Sequence, residues 1–213
     1  MAQIVDNKLI MAYYVSKCYE LGKYPQLEPF ISKVNDLSYL FSECKFKYMD
    51  YNKLNVSHIK NMAHMFRNST TLIKLNISKW NVSNVEDVTY MFHGCKCLSI
   101  LHISKWNVHN VIYMIGLFSM CKTLKKIDIS KWDISKVIDV NRMFYGCESL
   151  KKLDLSNWNT SNIKHAWLMF GRCEYLKQLI ILNWDITNIT NKEDIFYKCD
   201  KLNIIDGLLF TLD

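Results

Sequence analysis

Two cysteines and two histidines lie close together in the segment "MFHGCKCLSILHISKW", which spans residues 91–106. Thiolate and imidazole groups are common zinc ligands, and a structural zinc site needs four ligands that converge on the metal. Cys95 and Cys97, with His93 and His102, therefore raise the hypothesis of a metal site. The elements that carry these residues decide whether the four side chains can meet.

A repeat of 26 residues runs through most of the chain. Tryptophan recurs at this interval, at Trp80, Trp106, Trp132, Trp158 and Trp184. Phenylalanine does the same at Phe66, Phe92, Phe118, Phe144, Phe170 and Phe196, with Phe41 one residue short of register. Cysteine follows these phenylalanines by three residues at Cys44, Cys95, Cys121, Cys147, Cys173 and Cys199, and Ser69 takes the remaining place.

The repeat separates the residues of the opening segment. Stacked repeats place equivalent residues over one another, so Cys95 is predicted to be a buried core thiol. The histidines fall in different phases of the repeat, and four ligands do not converge. We therefore predict no metal site and no cofactor, and Cys97 is left without an interpretation.

Each repeat joins two hydrophobic patterns. Leu153 and Leu155 in "LKKLDLSNW" alternate with polar residues, as in a half-buried strand. Val85, Val88 and Met91 have helical spacing. The predicted fold is thus an α/β repeat, a solenoid of about seven 26-residue coils, each a short parallel strand plus a short helix. The strands are expected to begin near Phe46, Leu72, Leu98, Leu124, Leu150, Leu176 and Leu202.

The chain is expected to form one continuous body. Half of its 213 residues are hydrophobic, and two prolines and six glycines leave no flexible linker. Residues 1–30 do not fit the repeat and are predicted to form an N-terminal helical cap, with the solenoid over residues 31–213. Neither a secretory signal nor a transmembrane stretch is recognisable. We therefore expect an intracellular protein of the cytoplasm or of a virion, with its eight cysteines reduced.

The segment "LKKLDLSNWNTSNIKHAWLMFGRC" and its copies resemble the BspA-like leucine-rich repeat family, the mycoplasma-type surface-protein repeat. The resemblance runs from about Ile31 to the C-terminus. It implies a leucine-rich-repeat solenoid that binds other proteins or surfaces without catalysis, in bacterial surface proteins, protists and large DNA viruses. The first hypothesis is a binding or assembly module with capsid or assembly components as partners. The alternative is a surface adhesin.

The outward face of the strands is the predicted contact surface, because the core does not determine its residues. Lys126 and Lys152 stand beside Asp128 and Asp154, whereas the C-terminal end is apolar. A protein partner would dock there by shape and charge complementarity, and the oligomeric state stays open. The predicted contact residues are Lys74, His102, Lys126, Asp128, Lys152, Asp154, Ile180, Ile204, Leu209 and Phe210.

A row of lysines at coil spacing, with a net charge of +7, raises a nucleic-acid hypothesis. This lysine column comprises Lys53, Lys79, Lys105 and Lys131. It ends at Asn157, and no arginine cluster or exposed aromatic platform accompanies it. A solvated corner is therefore favoured over a nucleic-acid site. No coil gains a nucleophile, a base and an orienting residue together, so no enzyme is predicted.

Overall fold

The computed structural model describes residues 7–182 and 184–207. Two helices, α1 (Asn7–Glu20) and α2 (Glu28–Ile31), precede a stack of coils with short parallel strands. The strands form two three-stranded sheets, ordered β1-β2-β3 and β4-β5-β6. This confirms the predicted repeat fold with short parallel strands. The strands are β1 (Tyr48–Asp50), β2 (Lys74–Asn76), β3 (Ile100–Leu101), β4 (Lys152–Asp154), β5 (Gln178–Ile180) and β6 (Ile204–Asp206).

The predicted helix in each coil is wrong. Within the described ranges, the only helices are α1 and α2, and the segments that contain the phenylalanines are successions of turns. Two residues of each such segment, four positions apart, have a left-handed backbone that a right-handed helix excludes. In one coil these are Tyr90 (φ 53°) and Gly94 (φ 71°).

Hydrogen bonds between coils replace the helical ones in these turn segments. The N–H of Tyr90 donates to the carbonyl of Ile115 in the next coil at 2.7 Å, while the N–H of Met91 donates to Val88 within its own turn. Isolated parallel bridges link the start of each turn segment to the next. This bridge ladder runs through Asp36, Asn61, Asp87, Tyr113, Asp139, His165 and Asn191.

The core lies between the strands and the turn segments and consists of columns of equivalent residues, among which the aromatic ones are the most regular. The phenylalanines that recur in each repeat, called the ladder phenylalanines below, stack on one another with ring centroids 5.3–5.8 Å apart. They are Phe41, Phe66, Phe92, Phe118, Phe144, Phe170 and Phe196. The indoles of Trp80, Trp106 and Trp132 stack at 6.4 Å. Each indole N–H also donates to a carbonyl of the preceding coil, for example from Trp132 to Ile103 at 3.2 Å. The aromatic columns are therefore both apolar packing and a source of hydrogen bonds.

Helix α1 packs on the first coil. Met11 and Val15 are buried in the same hydrophobic cluster as Leu37 and Phe41. The ammonium group of Lys8 lies 2.8 Å from a carboxylate oxygen of Asp36, at the start of the bridge ladder. These contacts cover apolar side chains of the first coil. The division of the chain after residue 30 stays a prediction.

The C-terminal coil is more exposed and more charged than the others. Phe196 and Cys199 are half-buried, whereas their equivalents in the middle coils are fully buried. Lys192 is exposed and occupies a column that is otherwise apolar, at Leu37, Met62, Val88, Met114, Val140 and Ala166. The last described coil thus has a charged side chain at a position where the other coils have a buried apolar one. Leu209 and Phe210 lie outside the described residues.

Candidate binding surface

The outward sheet is interrupted in the fourth coil. Strands are predicted near Leu98, Leu124 and Leu150, but the segment that follows Leu124 pairs with neither β3 nor β4. Within the described chain, no hydrogen bond links the backbone of Lys126, Ile127 or Asp128 to either neighbouring coil. This interruption, residues 125–128, is called the sheet gap below. It leaves peptide groups of the gap and of β3 open to another hydrogen-bonding partner.

A groove of about 580 Å³ lies at the sheet gap. Its walls are residues 99–104, which include β3, and residues 126–128. Ile100 lines it and is 43% exposed, while Ile127 is half-buried. The groove therefore combines apolar side chains with unpaired backbone.

Three of the predicted contact residues meet in this groove: His102, Lys126 and Asp128. All three are exposed. One carboxylate oxygen of Asp128 accepts hydrogen bonds from the amide and the hydroxyl of Ser130, at 3.3 and 2.9 Å. These two bonds orient the carboxylate and leave its second oxygen available. The groove thus offers a cation, an anion and an imidazole.

The other predicted contact residues extend along the sheet, away from the groove. Lys74 is paired in register with Tyr48 and Ile100. Lys152 and Asp154 lie on β4, and hydrogen bonds from Ser156 hold the pKa of Asp154 below its usual value. Ile180 is half-buried, while Ile204 is 44% exposed. The apolar C-terminal end predicted for this face is therefore represented by Ile204.

The cysteine ladder is a structural column of protonated thiols. The Sγ of Cys95 donates to the carbonyl of Phe66 at 3.1 Å, and Cys121, Cys147, Cys173 and Cys199 repeat this bond in their coils. Ser69 supplies the equivalent bond with its hydroxyl, to Phe41 at 2.9 Å. Burial raises the pKa of these thiols, that of Cys147 to about 12. The position requires a small hydrogen-bond donor.

The cysteine and histidine side chains that suggested a metal site are kept apart by the fold. Cys95 is buried, Cys97 is exposed, and His102 points to the sheet face with the groove. Throughout residues 7–182 and 184–207, no group of three His, Cys, Asp or Glu residues is arranged to hold a metal ion. The lysine column Lys53, Lys79, Lys105 and Lys131 is exposed along its length.

One surface was missed by the sequence interpretation. All three arginines of the chain, Arg67, Arg142 and Arg172, lie on the turn segments. The guanidinium groups of Arg67 and Arg142 lie against aromatic rings. The sequence does indicate this surface, because each arginine lies within two residues of a ladder phenylalanine and so in the same part of the repeat.

The stacked coils, with a short parallel strand in each 26-residue period except the fourth, define a solenoid of the leucine-rich repeat type. The family model described as "Mycoplasma protein of unknown function, DUF285" matches residues 26–127 and 95–206. The chain belongs to this family, which confirms the BspA-like resemblance. No curated protein matches the chain significantly.

Three solved structures illustrate what the chain is similar to. TLR13, in its complex with ssRNA13, is 21% identical over 70% of this chain and 21% of its own, with a TM-score of 0.44. A leucine-rich repeat protein of Leptospira interrogans is 13% identical over 76% of this chain and 37% of its own, with a TM-score of 0.41. A leucine-rich cell surface protein of Faecalibacterium prausnitzii is 17% identical over 83% and 52%, with a TM-score of 0.40.

The chain spans between about a fifth and about half of the length of these three structures. In the part of the chain that the structure describes, no helix is both long and apolar enough to cross a membrane.

Proposed function

We propose that this protein is a non-catalytic protein-binding module whose contact surface is centred on the sheet gap. The observation that carries the proposal is the unpaired backbone of residues 126–128 beside the exposed side chains of His102, Lys126 and Asp128. Each of the remaining described coils contributes a paired strand, β1 to β6, to the sheets. The gap is where an external strand can find hydrogen-bond partners.

An extended segment of a partner protein is the ligand that this geometry fits. Its main chain would hydrogen-bond the open peptide groups of the gap, as in strand addition to a sheet edge. Its side chains would alternate between the groove, where Ile100 offers apolar contact, and the charged rim formed by Lys126 and Asp128. The coils on both sides are joined by the continuous column of stacked phenylalanine rings, so the surface is ordered before binding and little conformational entropy is lost.

The chemistry of the cysteines supports a role without catalysis. A nucleophilic cysteine needs a lowered pKa and access to substrate. The ladder thiols have raised pKa values because they are buried, and Cys121 and Cys173 are among the most strongly affected. They serve as hydrogen-bond donors in the core.

The more specific expectations stay predictions. A capsid or other assembly component as partner, a location in the cytoplasm or a virion, and the alternative of a surface adhesin each need a partner to be identified.

A peptide-display selection tests the proposal. A random library of extended peptides is selected on the folded protein, and the enriched peptides are measured against two charge-exchanged variants. The groove variant is Lys126→Glu/Asp128→Lys. The control is Lys60→Glu/Glu86→Lys, which reverses an exposed ion pair of 3.1 Å beside the bridge ladder.

We expect the groove exchange to weaken the selected peptides by at least about tenfold, since like charges would then face each other. The control exchange should change their affinity by less than about twofold, because exposed pairs contribute little. Peptides that bind both variants equally well would show that the contact surface lies elsewhere.

A further inference from the structure

The three arginines of the chain lie on one side of the solenoid with a set of aromatic and imidazole rings. This arginine face belongs to the turn segments of the second, third, fifth and sixth coils and is separate from the outward sheet. Its members are half-buried, so each ring and each guanidinium keeps an accessible part. The arginine face comprises His64, Arg67, Tyr90, His93, Arg142, Tyr145, Trp167 and Arg172.

Cations lie against rings in two groups on this face, one in the second and third coils and the other in the fifth and sixth. The guanidinium of Arg142 lies 4.2 Å from the ring centre of Trp167 and 5.9 Å from that of Tyr145. The guanidinium of Arg67 lies 6.0 Å from the ring of Tyr90. A guanidinium that lies over a ring uses its flat side there and keeps its N–H groups for other acceptors.

The imidazoles lie within the same array. The ring of His64 stacks on Tyr90 at 5.3 Å, and the ring of His93 meets Tyr90 edge-on at the same distance. Burial and then the cations Arg67, His64 and Arg142 lower the pKa of His93. Carboxylates are absent from the groups that act on His93, and only Asp87 opposes the cations at His64.

The positive charge of this face is only partly neutralised. Among the described residues, no carboxylate pairs with Arg67 or Arg142, and the Nε of each is buried without a hydrogen-bond partner. The Nδ1 atoms of His64 and His93 are in the same situation. Arg172 has a carboxylate neighbour, Glu174, but at 3.8 Å. The guanidinium charges of Arg67 and Arg142 thus have no carboxylate partner among the described residues, so an anionic ligand would stabilise this arrangement.

We propose that the arginine face binds single-stranded nucleic acid. The face extends over four steps between coils, roughly 20 Å at about 4.8 Å per step. A single strand presents phosphates along its backbone and flat bases between them, which matches two groups of guanidinium cations beside aromatic rings. An acidic segment of a protein would pair with the guanidinium groups but would have no flat groups to stack on the rings, so it fits this face less well. The lysine column, which has no rings beside it, is not part of this site.

Fluorescence anisotropy with a labelled single-stranded oligonucleotide of about 12 nucleotides, at about 50 mM salt, tests the proposal. The variant Arg67→Ala/Arg142→Ala should bind at least about tenfold more weakly than the unmodified protein. Two lost phosphate contacts should also reduce the slope of log K against log salt by about 1.4. The matched control, Lys105→Ala/Lys131→Ala, removes the same charge from the lysine column and should change the affinity by less than about twofold.

Two further measurements keep the proposal testable if the alanine variant folds poorly by circular dichroism. Arg142→Lys keeps the charge but stacks less well on Trp167, and it should retain the salt slope while losing affinity. In an NMR titration, the bound oligonucleotide should raise the pKa of His93, because phosphates favour its protonated form. The proposal is overturned if the unmodified protein does not bind at this salt concentration, if the lysine control loses as much affinity as the arginine variant, or if polyglutamate binds as tightly.

Discussion

The cysteine ladder predicts that this protein loses stability in mild alkali. Cys95, Cys121, Cys147 and Cys173 are fully buried, and burial raises their pKa in the folded state. In the unfolded chain a cysteine titrates near pH 8.5, at about its unperturbed pKa. Between these two values the unfolded state releases the proton and the folded state does not. The stability that the protonated thiols contribute to the folded state is therefore complete below about pH 8.5 and is lost as the pH rises towards the folded pKa.

The size of this loss follows from the four thiols. One unit above the unfolded pKa, each ladder cysteine shifts the equilibrium by about 1.4 kcal/mol towards unfolding. Four such groups give about 5–6 kcal/mol at about pH 9.5, a large part of the stability of a typical domain. Burial raises the pKa of Cys199 to about 11, so this thiol also stays protonated in the folded state at about pH 9.5 and adds a similar loss.

Urea unfolding at a series of pH values, with a reductant present throughout, measures this loss. The substitution Cys121→Ser removes one titrating group and keeps a donor for the carbonyl of Phe92, as Ser69 does for Phe41. The variant should therefore lose about 1.4 kcal/mol less than the unmodified protein between pH 7.5 and about pH 9.5. Equal pH dependence in the two proteins, or a stability that does not change over this interval, would refute the buried, protonated ladder.

Three further results are expected. Phe118 is fully buried between Phe92 and Phe144, so Phe118→Ala should cost about 3–5 kcal/mol of unfolding free energy, and the same change at half-buried Phe196 clearly less, by urea titration. Burial would raise the pKa of Asp36, but hydrogen bonds from Lys8 and Ser38 lower it overall, so the stability that Asp36 contributes is lost as the pH falls through its folded pKa. The substitution Lys8→Met should reduce this loss of stability in acid by less than about 1 kcal/mol, because both side chains of the pair are about a third exposed. A thiol reagent should modify Cys97 first in the native protein, because it is the exposed cysteine, and peptide mass spectrometry would detect rapid labelling of Cys121 as a contradiction.

The period of the sequence predicts the columns of the core, but not the backbone that connects them. Val85, Val88 and Met91 are buried as expected, yet through turns. Buried positions three and four residues apart are common to a helix and to a stack of turns, so spacing alone does not separate the two. Gly94 in a left-handed conformation is a sign of the turn, but Tyr90 adopts the same conformation without being a glycine.

The sheet gap had no signal in the sequence. Ile127 and Ile129 replace the Leu153 and Leu155 of a coil that does form a strand, and isoleucine is at least as good a strand former as leucine. Strand pairing depends on how neighbouring coils stack, which is a tertiary property. His102, Lys126 and Asp128 are exposed on one surface, because alternation along the strand determines which side chains face outward; their contact with a partner stays a prediction.

Hydrogen exchange at the sheet gap, followed by NMR, tests the central proposal most directly. Without ligand, the amides of residues 126–128 should exchange much faster than those of β4, because they lack partners in neighbouring coils. On addition of a peptide selected for binding, these amides and those of residues 99–104 should become protected. The account would be contradicted if the gap amides were already as protected as β4 in the unbound protein, or if the peptide protected a different face and left the gap unchanged.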